Sequence, residues 1–123
     1  MAEHNALGIL GEKRAIDYLK AKGYLILDTN WRVGRYELDV VAQYEGELVF
    51  VEVKTRSEQL LKAPEESVDR KKIRHIVAAA NQYVKRSPLH LPVRFDIIAI
   101  TGEALEHIEE AFYPPVCTKF NYH

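Results

Sequence analysis

Cysteine is nearly absent from this chain. Cys117 is the single one in 123 residues, which excludes an intrachain disulfide framework and a cysteine-based zinc cluster. No apolar run approaches the ~18 residues of a membrane-spanning helix. The N-terminal MAEHNALGILGEK has neither a basic start nor an apolar h-region. A cytoplasmic protein with no membrane partner is therefore expected. Glycine-rich phosphate loops are missing too: there is no G-x-G-x-x-G, no P-loop and no G-x-S-x-G. Nucleotide binding through a glycine loop and serine-hydrolase chemistry thus have no support. The five histidines, His4, His75, His90, His107 and His123, show no metal-ligand spacing, and there are no internal repeats or low-complexity tracts.

Overall charge is also scarce. The net value is −1 at pH 7, unlike a typical nucleic-acid binder. Its distribution is uneven, however. Residues 54–94 carry 10 basic and 4 acidic groups, a net +6 between flanking segments of −3 and −4. A solvated helix face accounts for such a run, and so does a surface that meets a phosphate backbone. Length and a 47% hydrophobic content fit one domain over 1–123, with a core over about 6–112 and an irregular tail over 113–123.

What is present centres on residues 36–56, YELDVVAQYEGELVFVEVKTR. Val, Leu and Phe dominate two runs, 37–44 and 47–55, and Glu45-Gly46 between them is suited to a two-residue hairpin turn. That turn places Tyr44 opposite Glu47, and further along Asp39 opposite Glu52 and Glu37 opposite Lys54, with these last four polar groups on one face. Like charges facing each other across strands are destabilising. A divalent cation between Asp39 and Glu52 would explain them. The plainer reading is an edge strand with a Glu37–Lys54 ion pair and solvated Asp39 and Glu52. Val49, Val51 and Val53 form a buried face, whereas Leu48 and Phe50 give way to Glu52 and Lys54 on the other. That suits a strand whose end emerges from a core into a cleft.

The flanking elements follow from periodicity and punctuation. Residues 6–22 read as a helix ended by Gly23, with Ala15, Ile16 and Leu19 as its buried stripe. Glu12 lies on that inward face, where a carboxylate is paired, protonated or on a metal. Alternatively it is a stripe-edge acid in the favourable field of the helix start. Residues 24–28 predict a short strand, Thr29-Asn30 a turn, and Gly34 a break before the hairpin. Arg32 and Arg35 are candidate phosphate contacts. Residues 55–66 read as a loop. A helix is predicted over 67–86, with Ser67 as cap and Ile73, Ile76, Val77, Ala80, Tyr83 and Val84 inward, and Lys72 at the edge of that face. PVRFDIIAI (92–100) reads as a central strand in which Asp96 bonds to Arg94 or a neighbouring strand, and 105–112 as a charged edge strand.

The expected fold class is α/β in the order α-β-β-β-α-β-β, a central mixed sheet flanked by helices. In that order the chain resembles the PD-(D/E)xK nuclease superfamily, with its restriction-endonuclease-like fold. Within it, the chain is most similar to the bacterial YraN-type proteins, relatives of archaeal Holliday-junction resolvases. The resemblance is carried by Gly11-Glu12, Glu37-Leu38-Asp39, Phe50-Val51-Glu52-Val53-Lys54-Thr55-Arg56 and Arg94-Phe95-Asp96. It departs at Tyr36 and Ala63, where glycine is expected. The resemblance implies a Mg²⁺-dependent DNA endonuclease, with Mn²⁺ able to substitute, acting on branched or damaged DNA and forming a homodimer if it cuts both strands. Asp39 and Glu52 are the metal ligands expected from charge, and the resemblance adds Glu12, direct or through water. Lys54 is the expected catalytic lysine, with Glu37 tuning it. Arg35, Arg56, Lys71 and Lys72 are the expected DNA contacts. The competing expectations are a non-catalytic nucleic-acid-binding or assembly module on the same fold, and a structural partner with an apolar patch in 112–122.

Overall fold

The computed structural model describes residues 6–56 and 70–113; the expected loop beyond Arg56, the Ser67 cap and the tail after Tyr113 lie outside them. The elements are α1 (Ala6–Ala21), β1 (Leu25–Val33), β2 (Tyr36–Tyr44), β3 (Glu47–Arg56), α2 (Arg70–Arg86), β4 (Val93–Thr101) and β5 (Ala104–Phe112). They form one five-stranded sheet in the order β1-β2-β3-β4-β5. Only β3 and β4 run parallel, as the crossover through α2 requires, and the other neighbours are antiparallel. The α/β class and the order of elements are those the sequence predicts.

The two helices cover opposite faces. On the α1 side, Ala15 and Leu19 pack with Val40, Val49, Val51 and Ile98, and Val53 joins the rim of that cluster. On the other side, Ile76, Ala79, Ala80 and Tyr83 of α2 meet Val41, Leu48, Phe50 and Phe95. The alternation of Leu48 and Phe50 with Val49 and Val51 is the pleat separating the two cores. Full burial of a side chain such as Leu19 stabilises the fold by ~1.5–3 kcal/mol. Strand β4 is buried at eight consecutive positions, as its apolar run predicts.

Helix α1 ends at Gly23, whose φ is 99°. The Tyr24 N–H donates to the Leu19 carbonyl and the Gly23 N–H to the Lys20 carbonyl, the paired bonds of a Schellman stop. The Glu45-Gly46 turn has φ values of 48° and 82°, as a type I′ hairpin needs. β1 differs from expectation. Thr29-Asn30 makes no turn, and one strand runs through it to Val33. Asn30 takes a positive φ of 52° within the strand, a conformation that asparagine tolerates, and a register shift falls between Ile26 and Asp28. The chain reverses instead at Gly34-Arg35, between the paired Val33 and Tyr36.

Asp96 is fully buried and structural. It accepts hydrogen bonds from Arg94 Nε (2.9 Å) and Nη2 (2.8 Å), His107 Nε2 (2.7 Å) and the Glu110 N–H (3.1 Å). Burial by itself raises the pKa of this carboxyl, but the bonds from His107 and Arg94 outweigh it and hold the group below its ordinary value. An ionised Asp96 makes His107 Nε2 the donor, which leaves Nδ1 to accept from Tyr18 Oη at 3.0 Å.

Candidate metal centre

A cavity of about 320 Å³ opens where β2 and β3 part, between the N-terminal halves of α1 and α2. The hairpin register is the predicted one from Tyr44↔Glu47 up to Val40↔Val51. Past that pair the Asp39 side chain takes over, its Oδ2 accepting the Val53 N–H at 2.9 Å. The acid thereby satisfies the backbone of β3 where the ladder ends, while its carboxylate stays in the cavity wall beside Glu52.

Glu52 is only 5% exposed, and Lys72 Nζ lies 3.3 Å from its Oε2. Burial and the adjacent Asp39 push the Glu52 carboxyl up to about 8, although Lys72 and Lys54 pull the other way. Asp39 is raised as well, chiefly by burial, against the Val53 hydrogen bond and the charge of Lys72. Burial lowers the Lys72 ammonium, but the attraction of Glu52 outweighs it and the net shift is upward. The two neighbouring carboxyls thus both sit above their ordinary range, even with Lys72 and Lys54 beside them. A divalent cation beside them would relieve both, and Mg²⁺ favours one or two carboxylates with waters completing its shell. Asp39 and Glu52 therefore fit such an ion. Among the described residues no three or more His, Cys, Asp or Glu side chains form a ready ligand cluster, so the acids stand as a pair.

Of the other residues singled out in the sequence, Glu12, Arg35, Glu37, Lys54 and Lys72 all line this cavity. Glu12 is carried there by a close approach of α1 to β3 at Gly11, where a Cβ would lie 1.9 Å from Thr55 Cγ2. Glu37 Oε1 sits 3.8 Å from Nη2 of Arg32, its cross-strand neighbour on β1, so an ion pair of Glu37 forms toward β1. Lys71 is exposed and does not line the cavity. Arg56 is 9% exposed, and its buried Nε has no hydrogen-bond partner among the described residues. Sequence reasoning missed the rim formed by Tyr36 and His75, whose ring centroids are 5.0 Å apart. His75 follows Lys72 by three residues, so the inward lean of Lys72 already implied it.

Comparison with known proteins shows the family of the chain. Residues 11–100 match the family described as "Uncharacterised protein family UPF0102". The chain belongs to the UPF0102 family. This is the YraN family, part of the restriction-endonuclease-like superfamily. A UPF0102 protein of Bacteroides thetaiotaomicron is 55% identical over 120 residues, covering 94% of this chain and 99% of the relative. One from Flavobacterium psychrophilum is 48% identical over 117 residues, covering 92% and 98%. A third, from Porphyromonas gingivalis, is 48% identical over 118 residues, covering 91% and 87%. The matched UPF0102 segment spans Glu12, Asp39, Glu52 and Lys54. No helix among the described residues is long and apolar enough to cross a membrane.

Proposed function

We propose that this UPF0102 protein is a metal-dependent DNA endonuclease that hydrolyses phosphodiester bonds, with branched DNA as its preferred substrate. The observation that carries the reading is the pairing of the half-buried Asp39 with the buried Glu52 in a cavity that Lys54 and Lys72 also line. Asp39 and Glu52 would hold a Mg²⁺ or Mn²⁺ ion, with Glu12 as a further ligand, direct or through water. When bound, the ion polarises the phosphate and lowers the pKa of a bound water. Lys54, on the same face as Glu52, orients the attacking water or meets the charge that builds on the phosphate oxygens. Lys72 exchanges Glu52 for a phosphate oxygen as substrate enters, and Arg35 at the rim holds the backbone on one side. Glu37, engaged with Arg32, keeps the β1 side of the cavity in place.

A second reading, a non-catalytic nucleic-acid-binding module, is favoured by one observation: the Lys72–Glu52 contact partly satisfies the acids without a metal. The test is cleavage of a labelled panel (four-way junction, flap, nicked duplex, single strand and linear duplex) in Mg²⁺ and Mn²⁺, with Glu52→Gln protein prepared identically. Cutting by the wild type alone supports the nuclease. Equal cutting by both removes Glu52 from the chemistry. No cutting by either, with DNA still bound, favours the binding module.

A further inference from the structure

A second cavity, of about 310 Å³, lies at the other end of α2, between that helix and β1. Its lining is Asp28, Trp31, Tyr83, Arg86, Ser87 and Pro88. Trp31 is half-buried and meets Tyr83 edge-on, with ring centroids 5.1 Å apart and planes at 79°. The Tyr83 hydroxyl donates to Asp28 Oδ2 at 2.7 Å, which fixes the carboxylate at the edge of the aromatic floor. Arg86, exposed in the last turn of α2, holds its guanidinium 5.8 Å from the centre of the Trp31 ring.

The chemistry of this lining narrows the occupant. An indole face and an edge-on phenol favour a flat ring. Asp28 disfavours an anion directly on the floor and accepts from N–H donors. Arg86 disfavours a cation there and attracts a phosphate just outside. A neutral planar ring bearing N–H groups and attached to a phosphate satisfies all three, and a nucleotide is such a ligand. Carboxylates read the exocyclic amine of cytosine in this way, and aromatic platforms with an adjoining arginine are how proteins hold unstacked bases. Ile76 lines the first cavity and Tyr83 the second. Seven residues of helix separate them by about 10 Å.

We propose that the Trp31–Arg86 cleft binds an unpaired base of the same strand that enters the acidic cavity, so that the substrate carries a single-stranded segment beside the cut. This rests on the nucleic-acid reading of the proposed function. It narrows the substrate to flaps, overhangs and junctions with unpaired bases, because a base inside a duplex cannot offer its face to Trp31.

Trp31 is the only tryptophan in the chain, so its fluorescence reports this cleft alone. The experiment titrates the full chain, in buffer with chelator, with a cytosine-containing single strand of about ten nucleotides, a blunt duplex of that sequence, and dCMP. Quenching by the single strand and not by the duplex or dCMP is expected. Arg86→Ala, at an exposed position, should weaken binding about tenfold. Asp28→Asn should reduce the preference for cytosine over thymine strands. Strand binding without quenching, or undiminished binding by both variants, overturns the proposal. Equal quenching by dCMP overturns it too, and reassigns the cleft to free nucleotides. Because no metal is present, quenching in a protein that never cuts would sink the nuclease while leaving this cleft standing. Metal-dependent cutting without quenching would do the reverse.

Discussion

Replacing Gly11 by alanine sets two effects against each other, and the structure decides the sign. Helix propensity alone favours the change by ~1 kcal/mol. The added Cβ, however, would fall 1.9 Å from Thr55 Cγ2 and 3.2 Å from Thr55 Cβ. Threonine is stiff at χ1 and its Cβ is fixed to the central strand, so the clash is not relieved by a simple swing of the side chain. Overpacking of this kind costs ~1–3 kcal/mol. Gly11→Ala should therefore destabilise the protein by ~1 kcal/mol net and up to ~2, lowering Tm by about 4 °C per kcal/mol for a chain of this size. In a Thr55→Ser background, which lacks Cγ2, the same substitution should be neutral or stabilising, a coupling of at least ~1 kcal/mol in a double-mutant cycle. Urea unfolding of the four proteins measures it. Stabilisation by Gly11→Ala in the wild-type background, or the same change in both backgrounds, would refute the close packing of α1 on β3 and with it the route by which Glu12 reaches the cavity.

Three further outcomes follow from the site and its supports. Glu52 titrates near 8 when folded and near 4.5 when unfolded, so the folded, metal-free protein binds the extra proton between those values and its stability falls as pH rises across them, by on the order of a few kcal/mol. Tm against pH in chelator should show that slope in the wild type and a flatter line in Glu52→Gln; parallel curves would remove Glu52 as its source. Asp39→Asn retains an oxygen for the Val53 N–H but loses the charge, so calorimetric Mn²⁺ binding should drop at least tenfold while Tm changes little; unchanged Mn²⁺ affinity would exclude Asp39 as a ligand. Asp96→Asn leaves Arg94 with the half-buried Glu47, 3.1 Å from its Nη1, as its remaining counter-charge and should cost ~3 kcal/mol in urea unfolding, the low end for breaking a buried pair, with Mn²⁺ affinity of the folded protein intact; a loss below ~1 kcal/mol would contradict the network.

The parts of this molecule legible in its sequence are those fixed by neighbours along the chain. The Glu45-Gly46 turn sets the register, and the register brings Asp39 and Glu52 together. Gly23 stops α1, and the apolar run over 92–100 announces a strand covered on both faces. What was hidden depends on partners distant in sequence. Asp39 replaces a ladder hydrogen bond, which pattern alone does not reveal. Lys72 reaches Glu52 as well as solvent because the start of α2 borders the acidic cavity, and the same placement turns Lys71 outward. Thr29-Asn30 has turn composition, yet pairing with β2 holds it in a strand and Asn30 absorbs the irregularity. Glu37 would face Lys54 if the hairpin ladder continued past Val40↔Val51, but it has Arg32 across the other ladder, a competitor visible only once β1 is known to continue.

The topology also bears on how the molecule assembles. β2 and β3 meet through a two-residue turn, so Asp39 and Glu52 come together in a hairpin that closes within ~1–10 μs. The parallel partner of β3 arrives much later along the chain: Leu48 pairs with Val93, and α2 with Lys72 lies between them. Such non-local closure is the slow part of folding. Contact order alone thus predicts that the two acids meet before the lysine that tempers them has docked. Under the proposed function, a divalent ion that the two acids would hold should act on the folding limb of a chevron as well as on the unfolding limb.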